Sequence, residues 1–231
     1  MCHSADVLIL KAMLKALNEA VESYLGTNIC FTALVLDEID GHLAQTAQQA
    51  LQLLGLRQVL GTTWASRSLV HAHPPSVYNG TDMDLCTVLA IDYSSTWFNI
   101  GLYTIEETGL VDPVLGLVNG LRIGEKKQLE ALEQALRDLA GEIPSDVESP
   151  NRLVIYGDNA NNREIFSIIE SVFGPDLNRD AYMSNSVYDG LAYIAGAAYE
   201  QMDTVNFEMR VPASFGCRWR SKLYHEGQTE L

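Results

Sequence analysis

The residues best suited to chemistry in this chain are three aspartates, a pair of histidines and a run of hydroxyls. Asp92 closes an apolar run and precedes Ser94, Ser95 and Thr96. An aspartate in that place caps its own loop by accepting from the amides that follow it. Asp158 and Asp189 are acidic residues of the kind that share general acid and base work. Each also stands near the start of a helical segment, where negative charge is favoured, and capping is the simpler role. His71 and His73 are two residues apart, so on a helix they point to different faces and do not chelate a metal together. The chain contains no His-Glu-x-x-His, Gly-x-Ser-x-Gly or Walker sequence, which removes the metalloprotease, hydrolase-elbow and phosphate-loop chemistries.

The elements that must position these residues follow from periodicity. Val7, Leu10, Leu14, Leu17, Ala20, Val21 and Leu25 recur at helical spacing over 5–25, and Gly26 ends that helix. Residues 29–36 form a short apolar run that predicts a buried strand. Helices are predicted over 42–54, near 63–72, and over 125–140, 161–173 and 187–201. Strands are predicted at 57–60, 85–91, 96–102, 153–156 and 205–211. Pro74 and Pro75 stop the third segment, and 74–85 is rich in turn formers. The domains expected are a partial first lobe at 1–75, a hinge or loop at 76–85, a reduced second lobe at 86–202 and an extension at 203–231. Strands alternating with helices predict an α/β fold with mixed sheets flanked by helices.

Composition narrows the partners. The 231 residues are 47% hydrophobic and 19% charged, an ordinary globular balance. Fifteen basic against thirty acidic residues give a net charge of −15, which repels phosphate backbones and anionic lipid. Nucleic acid and membrane are therefore not the expected partners. Met1 to Leu14 lacks the basic start and cleavage site of a signal peptide. Cys2, Cys30, Cys86 and Cys217 are widely spaced, so free thiols in a reducing, cytoplasmic setting are expected, with no metal and no cofactor.

Several ordered stretches resemble the nucleotide-binding domain of the seventy-kilodalton heat-shock chaperones, in particular filamentous-fungal members. Glu22-Ser-Tyr-Leu-Gly26 resembles a helix ending written A-E-x-Y-L-G, and Gln48 to Leu56 resembles A-x-x-x-A-G-L. Ala90 to Asn99 resembles the second phosphate loop, F-D-L-G-G-G-T-F-D. Leu153 to Asp158 resembles the adenosine motif V-L-V-G-G, and Asp189 to Ala198 resembles P-D-E-A-V-A-x-G-A-A. The resemblance implies a truncated actin-like, ribonuclease H-like ATPase fold, with Asp92 in the place of a magnesium carboxylate.

The departures imply lost chemistry. The resemblance begins downstream of the family's first phosphate loop. Ser94, Ser95 and Thr96 replace three glycines whose bare backbone admits phosphate oxygens, and Trp97 replaces a threonine. Residues 62–66 carry no carboxylate where the family has a glutamate, and Asp158 replaces the second adenosine glycine. Phosphoryl transfer depends on positioning and charge neutralisation, so no ATP hydrolysis is expected.

Three functions fit that loss. The first is a non-hydrolysing pseudo-ATPase whose former cleft holds an apolar small molecule or a protein. Its pocket would be Trp64, Asp92, Tyr93, Trp97, Phe98, Gly157 and Asp158. The second is a cofactor-free cyclase of Diels–Alder type in fungal natural-product biosynthesis, with Ser94, Ser95, Thr96 and Asp158 as its candidate catalytic groups. The third is an oligomerisation or scaffold module, a homodimer that buries surface left bare by the missing pieces.

Overall fold

A computed structural model describes residues 4–37, 41–73, 86–94, 97–106, 109–120, 125–204 and 207–219. The predicted hinge, 74–85, lies outside the described residues. The chain is mixed α/β and divides into two compact units, one of Met1–Thr63 with Ile194–Leu231 and one of Trp64–Tyr193.

The first unit opens with helix α1 (Ala5–Leu25). The Ser4 side chain accepts from the Val7 amide at its start, and Gly26, at φ 65°, closes it with a bond to the Glu22 carbonyl. The buried Glu22 carboxylate accepts from the Ile29 amide at 2.8 Å and so fixes the chain leaving the helix. The apolar run at 29–36 is not one buried strand. It is divided into β1 (Phe31–Thr32) and β2 (Val35–Leu36), both half-buried. β1 pairs in parallel with β3 (Arg57–Gln58), and that two-residue partner limits the ladder. Between β2 and β3 runs α2 (Gly41–Leu54), which buries Ala47, Ala50 and Leu51 and packs on α1.

The end of the chain joins this unit through long-range bonds that local pattern does not reveal. Cys30 and Cys217 form a disulfide with a Cα–Cα distance of 5.6 Å, which corrects the expectation of four free thiols. A sequence separation of 187 hid the pair from a reading based on spacing. The Ser214 hydroxyl donates to the Gly55 carbonyl at 2.7 Å, and Asn28 Nδ2 donates to the Cys217 carbonyl at 3.1 Å. The strand predicted at 205–211 is also corrected, because Phe207–Arg210 is a helical turn. Phe207 anchors it edge-on to Phe31, and the Val211 amide bonds back to the Phe207 carbonyl.

The second unit centres on a five-stranded sheet. Strand β4 (Thr63–Trp64) leads into α3 (Ala65–Ala72), and β5 (Cys86–Tyr93), β6 (Phe98–Ile105) and β7 (Val111–Gly120) form an antiparallel meander. Helix α4 (Glu125–Glu142) leads to β8 (Arg152–Tyr156), parallel to β5. Helix α5 (Arg163–Phe173) leads to β9 (Tyr182–Ser184), parallel to β8. The spatial order is β7-β6-β5-β8-β9. Helix α6 (Tyr188–Met202) follows and α7 (Phe207–Arg210) is the helical turn near the end.

Strand β5 alternates between two cores, as a strand buried on both faces must. Leu89, Ile91 and Tyr93 join Leu132, Leu136 and Leu139 of α4 and Ile165 and Ile169 of α5. Val88 and Ala90 join Leu69 and Val70 of α3, with Tyr103 and Tyr156. The leucine stripe read for 125–140 is thus a core face. Strand β7 has no counterpart in the sequence reading. Pro113, Gly116 and Gly120 disguise it, and a strand at the sheet edge tolerates proline where a central one does not.

Candidate functional site

In a sheet with parallel strands, ligands are generally found at the strands' carboxyl ends. Here those ends are Asp92–Tyr93 of β5 and Tyr156–Gly157 after β8, held side by side by the register Asp92↔Tyr156. The sequence placed its candidate cleft on these residues, and the structure gathers Asp92, Tyr93, Phe98 and Gly157 there. Tyr93 and Phe98 are cross-strand partners, both fully buried and turned into the core beneath α4 and α5. Asp92, also buried, projects from the opposite face of β5.

The turn at Gly157 is unusually close to its neighbour. Gly157 has φ 114°, and a side-chain carbon there would collide with the Tyr93 carbonyl and lie 2.8 Å from Asp92 Oδ1. Glycine is required by both the backbone conformation and the space. The groups crowding this point are a carbonyl and a carboxylate, both acceptors. Two neighbouring amides are bonded within the protein. The Ser94 amide donates to the Trp97 carbonyl at 3.0 Å and closes the β5–β6 hairpin. The Asn159 amide donates to the Tyr93 carbonyl at 3.2 Å. Buried Gln128 of α4 donates to the Ser94 carbonyl at 2.7 Å.

The remaining sequence candidates disperse. Ser95 and Thr96 lie outside the described residues, and Trp97 is half-buried. Trp64 belongs to the other core and meets Tyr103 edge-on, with ring centroids 6.4 Å apart. Asp158 is exposed in the turn after β8, and α5 is capped by Asn162, whose side chain accepts from the Glu164 amide at 3.0 Å. A 270 Å³ hollow in the first unit is lined by Gln52, Gly55, Leu56, Arg57 and Ser214, none of them a sequence candidate.

A second constellation lies at the end of α3. Tyr182 of β9 donates its hydroxyl to Asp189 Oδ2 at 2.5 Å, and His73 Nε2 lies 3.2 Å from the same oxygen. The His73 ring stacks on Tyr182 with centroids 3.6 Å apart. His71 stacks on Tyr193, one turn beyond Asp189 on α6, at 5.2 Å. The hydrogen bond from Tyr182, and then those to His73, hold the Asp189 carboxyl below its ordinary value. Burial, followed by the bond to Asp189, raises Tyr182. Burial foremost, with Arg67 adding to it and Asp112 opposing, lowers His71. Asp189 thus accepts from two neighbours while its side chain stays partly open to solvent. The constellation acts as a clasp between α3, β9 and the start of α6. Gly190 tightens the same junction, since a side chain there would meet the Leu69 amide nitrogen at 2.9 Å.

No protein-family model matches this sequence, and no curated protein matches it. Function must therefore be argued from the two sites themselves. Sequence reasoning weighed Asp189 as an acid–base partner of Asp158 and preferred a helix-capping role, whereas the structure sets it against Tyr182 and His73. His71 and His73 turn to different partners, Tyr193 and Tyr182, and α3 ends between them at Ala72, with His73 leaving the helix at φ −124°. Nothing in the local pattern marked Tyr182. Among the described residues no group of three or more histidine, cysteine or acidic side chains could hold a metal ion. No helix among them is long and apolar enough to cross a membrane.

Proposed function

We propose that this chain is a reduced actin-like lobe that works by binding a protein partner and neither binds nor hydrolyses a nucleoside triphosphate. The sheet order supports the actin-like reading, with a three-strand meander continued by two parallel strands through helical crossovers. One observation carries the loss of nucleotide: among the described residues, the strand ends crowd acceptors together where a phosphate needs donors. Asp92 and the Tyr93 carbonyl crowd Gly157, and the Ser94 and Asn159 amides are spent on the protein. An anionic phosphate gains no donor from these two amides and meets a carboxylate, and like charges at close range are unfavourable.

The burial of Tyr93 and Phe98 supports a protein partner over an apolar small molecule, because these rings fill a core instead of lining a cavity. The same burial removes the aromatic walls that a cyclase of the Diels–Alder type would use. A disulfide persists in oxidising surroundings, which weighs against a cytoplasmic site. Isothermal calorimetry with ATP and magnesium tests the proposal. Dilution heats alone are expected, and saturable, magnesium-dependent binding in the micromolar range would overturn it.

A further inference from the structure

Helix α1 is apolar around more of its circumference than the fold covers. Its inward side is Val7, Leu10, Leu14, Asn18 and Glu22, which are buried or half-buried. The opposite side carries Ile9, Met13, Leu17 and Tyr24, exposed by 60%, 65%, 63% and 89%. Ala12, Ala16 and Ala20, also exposed, form an adjoining row at one-turn spacing. The stripe that periodicity assigned to the core is thus divided, and Leu17, Ala20, Val21 and Leu25 face solvent. A surface helix of a globular domain ordinarily turns charged residues outward, and one that is apolar on both sides is covered on both. At 21 residues α1 is about 31 Å long, so its outer side is a continuous apolar strip of a size that monomers seldom leave bare.

We propose that the outer face of α1 is the interface of a homodimer, packed antiparallel on α1 of a second copy. The occupant is indicated by the charges beside the strip. Lys15 and Glu19 stand on the flank next to the alanine row, near the helix midpoint, and within one chain they form an exposed ion pair at 3.5 Å. A two-fold axis lying between the two helices, perpendicular to them and level with residues 16 and 17, places each flank against the same flank of the other copy, running the opposite way. Lys15 of each copy then lies beside Glu19 of the other, and two ion pairs form across the axis. An isologous contact requires this self-complementarity, and a parallel two-fold would instead set this charged flank against the opposite, apolar flank, where neither pair forms. The alanine rows allow close approach of the two backbones, and Ile9, Met13 and Leu17 close the far side of the strip. This inference stands apart from the loss of nucleotide, which concerns a different unit of the chain.

Sedimentation equilibrium from micromolar to submillimolar protein tests it. The wild-type mass should rise with concentration from 25.5 kDa towards twice that value. Ala16→Arg puts a charge on the axis and should leave a monomer with unchanged circular dichroism, since arginine is a good helix former. Lys15→Glu and Glu19→Lys should each weaken association, and the doubly exchanged chain should recover it. A wild-type chain that stays monomeric throughout would overturn the proposal, whether another protein covers α1 or nothing does. A dimer that survives Ala16→Arg would overturn it too, by placing the interface elsewhere.

Discussion

Reducing the Cys30–Cys217 bond should cost the first unit several kcal/mol of stability. The bond closes a loop with a sequence separation of 187 residues. In the chain-entropy description, a loop of that length withholds about 18 cal/mol/K from the unfolded chain, or about 5 kcal/mol at 25 °C. Measured disulfides usually contribute about 2–4 kcal/mol, so a loss of about 3–5 kcal/mol is expected here. The assay is urea unfolding of the oxidised and reduced protein in parallel, followed by circular dichroism. The urea midpoint should fall on reduction, and the slope should rise because the uncrosslinked unfolded chain exposes more surface. Alkylation of the native oxidised protein should label Cys86, which is a half-buried free thiol, and spare Cys30 and Cys217. Equal midpoints, or alkylation at Cys30 and Cys217 before any reductant is added, would refute the pairing.

Two further perturbations address the second unit. Gly157→Ala forces a side chain into a positive-φ position against the Tyr93 carbonyl, and it should destabilise the protein by about 3 kcal/mol in the same urea assay. Asp189 is held below its ordinary value of 3.8, chiefly by Tyr182 and then by His73. Its contribution to stability is therefore complete above 3.8 and fades as pH falls through the lower folded value. Urea midpoints measured down the acid limb should show that loss, and Asp189→Asn should flatten the limb while leaving the neutral fold intact.

Much of the second unit was legible because its signals are local. The leucine stripe of α4 and the runs that became β5 and β8 are each fixed by what their own residues bury. Strand β7 was hidden because its pairing with β6 outweighs the propensities of Pro113, Gly116 and Gly120. The first unit was read less well because its order depends on partners distant in the chain. Phe207 on Phe31, Ser214 on Gly55 and Cys217 on Cys30 bring the end of the sequence back to its beginning. No window of neighbouring residues contains such information, so 205–211 read as a strand and four cysteines read as thiols. At the candidate site, the residue types at 94–97 and 158 suggested a spoiled phosphate cradle. Which amides are spent, and on which carbonyls, became visible only with the strands in register. The clasp of His73, Tyr182 and Asp189 needed the tertiary fold, since 116 residues separate the histidine from the aspartate.

The proposal that this chain does not bind nucleotide is tested most directly at the amides of Ser94 and Asn159. Titrating isotope-labelled protein with ATP and magnesium, with these two amides followed by nuclear magnetic resonance, isolates the groups in question. The account predicts that both stay unshifted and protected from hydrogen exchange, because each remains bonded to its carbonyl. A saturable shift at either amide that depends on magnesium would contradict it.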